Sequence, residues 1–418
     1  MKKKTKILII GGGMAGLSCS HLLSQIPNTE IILVEQNSYL GAGVKTHWWG
    51  GHPFTFGPRY FLTKKMEVYE YFNKIIPLRT CNDNEFISYV EQDNQFYNYP
   101  LHLDDVERMP DKDKIKEELK NRNTSFSPTN LEDYWIGSVG KTLYDKVINK
   151  YNKKMWQVDD NREIDTFSWS PKGATIKNKQ SKKRAWDGAI NAYPYAKDGY
   201  NQYFEIATKD VKVLLNSNVK IIDLKNKIFK INDHEDEKFD IVISSSSPDL
   251  IMNNVYGALP YIGRDIHNIV MPMEYVLPKD IYFVYYPNSE KFTRIAEYKK
   301  FTHHKSPTSL IGFEIPSLNG RHYPLPQKKW HRLAKKYIDE FPEGMYSVGR
   351  NGSYFYSLDI DDCIYQAMLI KKDIENNSIK SGVPGEDYDF TFSISGDDVI
   401  LEHQGSATTY KVTAKKIR

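Results

Sequence analysis

Apolar positions in this chain follow two rhythms, and the order in which they alternate predicts its elements. Lys6 to Ile10 and Ile31 to Val34 are short, continuous apolar runs rich in β-branched residues. Runs of that kind predict strands buried on both faces. Between them, Gly13 to Leu23 carries a helical pattern. Val68, Phe72, Ile75 and Ile76 form a helical stripe that Pro77 stops. Phe86 to Val90 and Gln95 to Tyr99 read as two short strands around a turn at Gln92 to Asn94. Leu103 to Asn130 is polar and charged, predicting exposed helices and loops. From Leu131 to Trp156, the residues Ile136, Val139, Leu143, Val147, Tyr151 and Met155 recur at spacings of three and four, which predicts one face of one long helix. Short strands follow at Val211 to Leu215, Val219 to Asp223 and Lys227 to Ile231, then a buried one at Phe239 to Ser245. Strand candidates between Tyr261 and Phe313, among them Ile266 to Val270 and Ile281 to Tyr286, suggest an antiparallel sheet. Lys328 to Phe341 is helical, and Cys363, Ala367, Ile370 and Ile374 share a face of a last helix. Ser381 to Arg418 reads as polar β-hairpins.

The first run enters Gly11, Gly13 and Gly16 in GxGxxG spacing, and the second ends at Glu35. Strand, glycines, helix, strand and acid in that order predict a dinucleotide site. The first glycine permits the turn, the second lets a pyrophosphate approach the backbone, and the third lets helix pack close to strand. Glu35 would accept hydrogen bonds from a ribose. A second small-residue turn, LGAG ending at Gly43, points to FAD rather than NAD. A late glycine turn at Gly349 precedes the last helix, and such turns return to the cofactor in FAD folds. The expected class is α/β: a Rossmann-like FAD-binding domain with an inserted helical domain and an antiparallel β-sheet substrate domain. Residues 1–80 would begin the FAD-binding domain and 81–165 would be the mainly helical insertion. Residues 166–208 and 255–325 would form the substrate sheet, 209–254 and 326–380 would return to the FAD domain, and 381–418 would be an extension.

Fifty-seven basic against 53 acidic residues, a net charge of +4, argue against a nucleic-acid partner. Lys172, Lys177, Lys179, Lys182, Lys183 and Arg184 gather in 171–184, either a solvated loop or a mobile basic flap over a phosphorylated ligand. Three cysteines without paired spacing fit a reducing compartment, and neither they nor His47, His52, His303 and His304 complete a metal site. No run approaches the roughly 20 apolar residues of a membrane span, so a soluble, cytoplasmic protein without membrane insertion is expected.

Five local motifs, in order, resemble those of the flavin-dependent UDP-galactopyranose mutases. GPRYFLT (Gly57 to Thr63) is similar to the family's GAHIFHT, and YNKKMW (Tyr151 to Trp156) to its YTEKQW. FTRIAEYKKF (Phe292 to Phe301) resembles YTRIIEHKHF, and HYPL (His322 to Leu325) falls where the family has a YYP segment. GRNGSYFY (Gly349 to Tyr356) resembles GRLAEYKY. The resemblance implies an isomerase in which reduced FAD attacks the anomeric carbon. The sugar is then held as a covalent flavin adduct while pyranose and furanose forms of a UDP-sugar interconvert for a surface polysaccharide. It implies that Arg294 and Arg350 restrain the diphosphate, with Arg350 beside the flavin, and that Tyr323 and Tyr356 donate hydrogen bonds. Tyr151 and Trp156 would wall the uridine pocket, and Lys172 would replace a loop arginine. A homodimer would be compatible.

The departures concentrate at the sugar end. Arg59 and Leu62 stand where the family motif has histidines, Trp169 falls near the place of the loop arginine, and Leu358 replaces an aspartate, with Asp359 one place later. A longer, permanently charged Arg59 implies a hexose with a changed substituent or configuration, such as an N-acetyl or deoxy sugar. The competing readings are an FAD-dependent, amine-oxidase-like oxidoreductase and, on Arg59 and Leu62, a flavoprotein that has lost catalysis and serves as a binding or scaffold subunit.

Overall fold

A computed structural model describes residues 4–122, 125–167, 176, 189–385, 390–395, 398–403 and 410–412. The apolar runs assemble into a five-stranded parallel sheet in the order Lys212–Leu214, Thr29–Val34, Thr5–Ile10, Ile241–Ser244 and Met345–Ser347. The two-residue period divides its faces. Ile7, Ile9, Ile31, Leu33, Ile241 and Ile243 point into the main core beneath the helices Met14–Leu23 and Ile360–Glu375. Leu8, Ile10, Ile32, Val34 and Val242 meet Phe229, Phe239, Ile338 and Phe341 on the other side. Both faces are covered, so these strands carry no alternation. Gly16 sets the distance between helix and sheet, because a Cβ there would lie 1.9 Å from the carbonyl oxygen of Gly11.

Beside this layer stands a seven-stranded sheet in the order Tyr323–Pro324, Tyr261–Met271, Ser309–Ser317, Arg294–Glu297, Phe283–Tyr285, Ile87–Val90 and Gln95–Asn98. Its pairings are antiparallel except that of Phe283–Tyr285 with Ile87–Val90. The last two strands are those expected at Phe86 to Val90 and Gln95 to Tyr99. Short strands leave backbone donors and acceptors unmet until they pair, and Ile87–Val90 finds its partner in this sheet. Helix begins only at Leu103–Arg108. Ile190–Pro194, expected in the substrate sheet, instead pairs with Phe61–Thr63 and Leu78–Thr80 in a separate three-stranded sheet. The strands Phe390–Ser395, Asp398–His403 and Tyr410–Val412 extend a small antiparallel sheet from Ser125–Phe126.

The single long helix expected over Leu131 to Trp156 is divided. Leu131–Val139 stops at Gly140, whose φ of 88° ends the helical geometry, and a new helix runs through Lys141–Tyr144, a π-turn at Asp145–Asn149 and Lys150–Trp156. Val139, Leu143, Val147 and Met155 still share one core, so apolar spacing passes over the break without registering it. The basic segment 171–184, with Lys172, and Trp169 lie outside the described residues, Ile176 excepted. Among the described residues no helix is long and apolar enough to cross a membrane, and no His, Cys, Asp or Glu group could hold a metal.

Lys154 ties the second of these helices to the sheet. Its Nζ donates to the carbonyl oxygens of Tyr286 at 2.9 Å, Asn288 at 3.3 Å, Glu290 at 2.8 Å and Phe292 at 2.7 Å, and to Glu290 Oε1 at 3.0 Å. Burial lowers its pKa, opposed by Glu290. Lys154→Met keeps the aliphatic stem but strips those carbonyls of their donor, so denaturant unfolding should show a loss of about 2–3 kcal/mol. An unchanged midpoint would mean that water satisfies the carbonyls equally well.

Candidate active site

One cavity of about 1180 Å³ runs from the glycine turn to the helix that carries Tyr151, larger than a pocket for one small ligand. At its dinucleotide end Gly13 is the N-cap of Met14–Leu23 and supplies no side-chain cap, leaving first-turn N–H groups for an anion. A Cβ on Gly13 would meet nothing nearer than Ala42 at 3.5 Å, so the loop is open to a ligand. The buried Glu35 carboxylate accepts from the Gly12 N–H at 2.7 Å through Oε2. Its Oε1 accepts from the backbone N–H and Nδ2 of Asn37 at 2.8 and 2.7 Å. The acid therefore braces the glycine loop while still lining the cavity. Gly43 and Gly349 line the same space. The Gly349 N–H donates to Gln366 Oε1 at 2.8 Å, which fixes the returning loop on the last helix. These features fit a dinucleotide cofactor. Gly16 acts beneath the site, in packing, and does not line it.

At the other end the structure brings together Arg59, Arg294, Arg350, Tyr151, Tyr323 and Tyr356. Arg294 donates through Nε and Nη2 to Glu314 Oε2 at 3.0 and 2.7 Å, with its guanidinium 5.8 Å from the Tyr285 ring centre. Arg350 donates to Asp359 Oδ1 at 2.8 Å and lies over the rings of Tyr323 and Tyr356 at 5.2 and 5.4 Å. Asp359, one place after the expected position, thus supplies an acid to this arginine. Arg59 donates to the carbonyl oxygens of Gly43 at 3.0 Å and Phe56 at 2.5 Å, so it bridges the second glycine turn and the loop that carries Phe56. Trp156 stands edge-on to Tyr356 at 4.8 Å, Tyr356 to Tyr323 at 5.5 Å, and Tyr151 to Tyr285 at 5.9 Å.

The electrostatics centre on Tyr323. Burial raises its phenol pKa, but Arg59, Arg264, Arg350 and Arg294 together outweigh that and bring it down to about 7. Tyr356 moves the other way, to about 12, chiefly by burial. Burial, with Arg59 and Arg264, holds His322 near 4, so it is neutral at physiological pH. Two cavity residues had not been singled out from sequence. Arg264 is buried, with no hydrogen-bond partner for Nε or Nη1. Asn191, opposite Leu62 in the three-stranded sheet, is buried with neither carboxamide atom partnered. Each lies in a strand where pattern gives only a face, and no motif marks either.

Comparisons with known proteins match this geometry. The family profile described as UDP-galactopyranose mutase covers residues 146–356, and that of an NAD(P)-binding Rossmann-like domain covers residues 9–75. A probable UDP-galactopyranose mutase of Klebsiella pneumoniae is 22% identical over 389 residues, covering 87% of this chain and 92% of that one. The fold is shared with a crystal structure of reduced UDP-galactopyranose mutase at a TM-score of 0.74 and 16% identity, covering 90% of this chain and 96% of that one. It is shared more distantly with a putrescine oxidase at a TM-score of 0.53 and 12% identity, covering 89% of this chain and 99% of that one. A dinucleotide turn, an arginine-lined cleft and a family profile spanning the helix of Tyr151 to the turn of Tyr356 converge on one conclusion: the chain belongs to the UDP-galactopyranose mutase family of isomerases.

Proposed function

We propose that this protein interconverts the pyranose and furanose forms of a UDP-linked sugar, using FAD in its reduced form, in the cytoplasm and for a surface polysaccharide. The observation that carries the reading is the arrangement of guanidinium groups around Tyr323, in a cavity that also reaches the dinucleotide turn. When bound, a reduced flavin would supply a nucleophile for the anomeric carbon. The protein's own task is to restrain a departing diphosphate. Arg294, held in place by Glu314, and Arg350, held by Asp359, present charge that needs no rearrangement when the leaving group forms. Tyr323 and Tyr356 would donate to the diphosphate, and Tyr151 and Trp156 would wall the base. Glu35 would meet the adenosine ribose of FAD, with Gly11, Gly13, Gly43 and Gly349 letting the cofactor approach. Lys172 would add charge from the basic segment. At the sugar end Arg59 donates where a histidine stands in related motifs, and Leu62 offers only apolar surface, which favours a hexose with an altered substituent such as an N-acetyl group. The domain division and a homodimer belong to the same reading.

Incubation with dithionite and a panel of UDP-sugars should give a new furanose anomeric signal by NMR, and none without reductant. Absence of conversion for every sugar, together with amine-dependent peroxide formation, would replace the mutase with the oxidase reading. Under reducing conditions Arg294→Gln should lower kcat by about 10²–10³-fold, the loss expected for one preorganised charge donor. A change in KM alone would place Arg294 in ground-state binding.

Tyr323 makes the site pH-dependent with a definite sign. Its pKa in the ligand-free fold is about 7. A diphosphate placed among the same guanidiniums disfavours the phenolate, so binding takes up a proton above that pH. UDP affinity should fall as pH rises through about 7 to 9, and Tyr323→Phe should flatten the profile. A profile unchanged by the substitution would assign the titration elsewhere.

A further inference from the structure

We propose that Arg264 binds the diphosphate of the substrate directly, as the inner anion contact of the cleft. The assignment rests on the nucleotide-sugar reading and deepens it. Arg264 lies in the strand Tyr261–Met271, at the inner wall of the cavity, and its side chain is only 2% exposed. A buried guanidinium ordinarily saturates its N–H groups on carboxylates or carbonyls, because an unpaired buried charge costs several kcal/mol. Arg264 does not. Nε and Nη1 have no hydrogen-bond partner, and Nη2 touches only the soft sulfur of Met155. The nearest carboxylate, Glu314, comes no closer than 4.0 Å and already accepts two hydrogen bonds from Arg294.

Charge counting leads to the same place. Four guanidiniums bear on Tyr323, and among the described residues Glu314 and Asp359 are the carboxylates bonded to them. Arg294 and Arg350 are the two so compensated, whereas Arg59 spends its hydrogen bonds on carbonyls. Arg264 also lies 4.9 Å from the Tyr323 ring centre, an aromatic face that attracts the cation without neutralising it. The two guanidiniums without a hydrogen-bonded acid are therefore Arg264 and Arg59, and a diphosphate diester carries two negative charges to match them. Arg294 then holds Glu314 in place as much as it meets ligand.

Isothermal titration of the flavin-loaded protein with UDP, inorganic pyrophosphate and uridine tests this. Arg264→Gln should weaken UDP and pyrophosphate about 10- to 100-fold, the loss of one charge-assisted contact, and leave uridine within about two-fold. Arg264→Lys, which keeps the charge with fewer donors, should recover part of the loss and serves as the test if the glutamine variant does not fold. Unchanged UDP and pyrophosphate affinity in either folded variant overturns the assignment. So does a parallel fall in uridine affinity, which would reveal a packing role, or a wild type that binds neither anion. A wild type that binds pyrophosphate through Arg264 but not UDP keeps the anion contact and defeats the nucleotide reading.

Discussion

The cleft depends on one unfavourable concentration: several permanent positive charges held close together away from water. Guanidinium groups cannot relieve this by releasing a proton, as a lysine can. Relief comes from what surrounds them. Glu314 is buried and shared, bonded to Arg294 and within 4.0 Å of Arg264, and Asp359 takes Arg350. Rings of Tyr285, Tyr323 and Tyr356 face the cations, which hold the Tyr323 phenol below the ordinary tyrosine value. What remains is a field awaiting an anion. That residual charge favours an anion, where an apolar cavity of equal size would not.

Holding like charges together requires walls that do not give. The arginines sit on separate elements: Arg264 and Arg294 on strands flanking Ser309–Ser317, Arg350 in the turn before the last helix, and Arg59 in the loop before Phe61–Thr63. Mutual repulsion would open a loosely built site. Sheet pairing fixes the two strand arginines through the register Arg264↔Pro316 and Arg294↔Glu314. Two lysines, Lys154 and Lys299, fasten the segments around them. Lys154 gathers the carbonyls of 286–292, and Lys299 donates to the carbonyl oxygens of Glu274, Ser306 and Thr308 at 2.6, 2.7 and 2.9 Å. The protein thus uses cations twice, saturated where they hold loops and partly unsaturated where they meet ligand.

Arg59 joins the two halves of the cavity. Its hydrogen bonds to Gly43 and Phe56 tie the second glycine turn to the loop that carries Phe56. A histidine at this position would be shorter and neutral near physiological pH. Arg59 thereby keeps a fixed charge beside the second glycine turn, and Leu62 lies opposite the unpartnered Asn191 in the same cavity.

The sequence by itself determined the elements whose chemistry is local. The glycine turn, its helix, the acid at Glu35 and the buried runs of the parallel sheet were legible because backbone sterics and a two-face burial pattern act over a few residues. Motif likeness brought Arg59, Arg294, Arg350, Tyr151, Tyr323 and Tyr356 into consideration, and they do line one cavity. Only the tertiary structure decided what each charge is paired with. Apolar periodicity could not register the stop at Gly140, since residues on both sides of it face the same core. Nor could it send Ile87–Val90 to Phe283–Tyr285, because a short strand's partner is chosen by which distant edge still lacks hydrogen bonds. Arg264 precedes the strand candidate Ile266 to Val270 and belongs to no motif. Its burial, and the absence of an acid to accept from Nε and Nη1, exist only once strands far apart in the chain have closed around it.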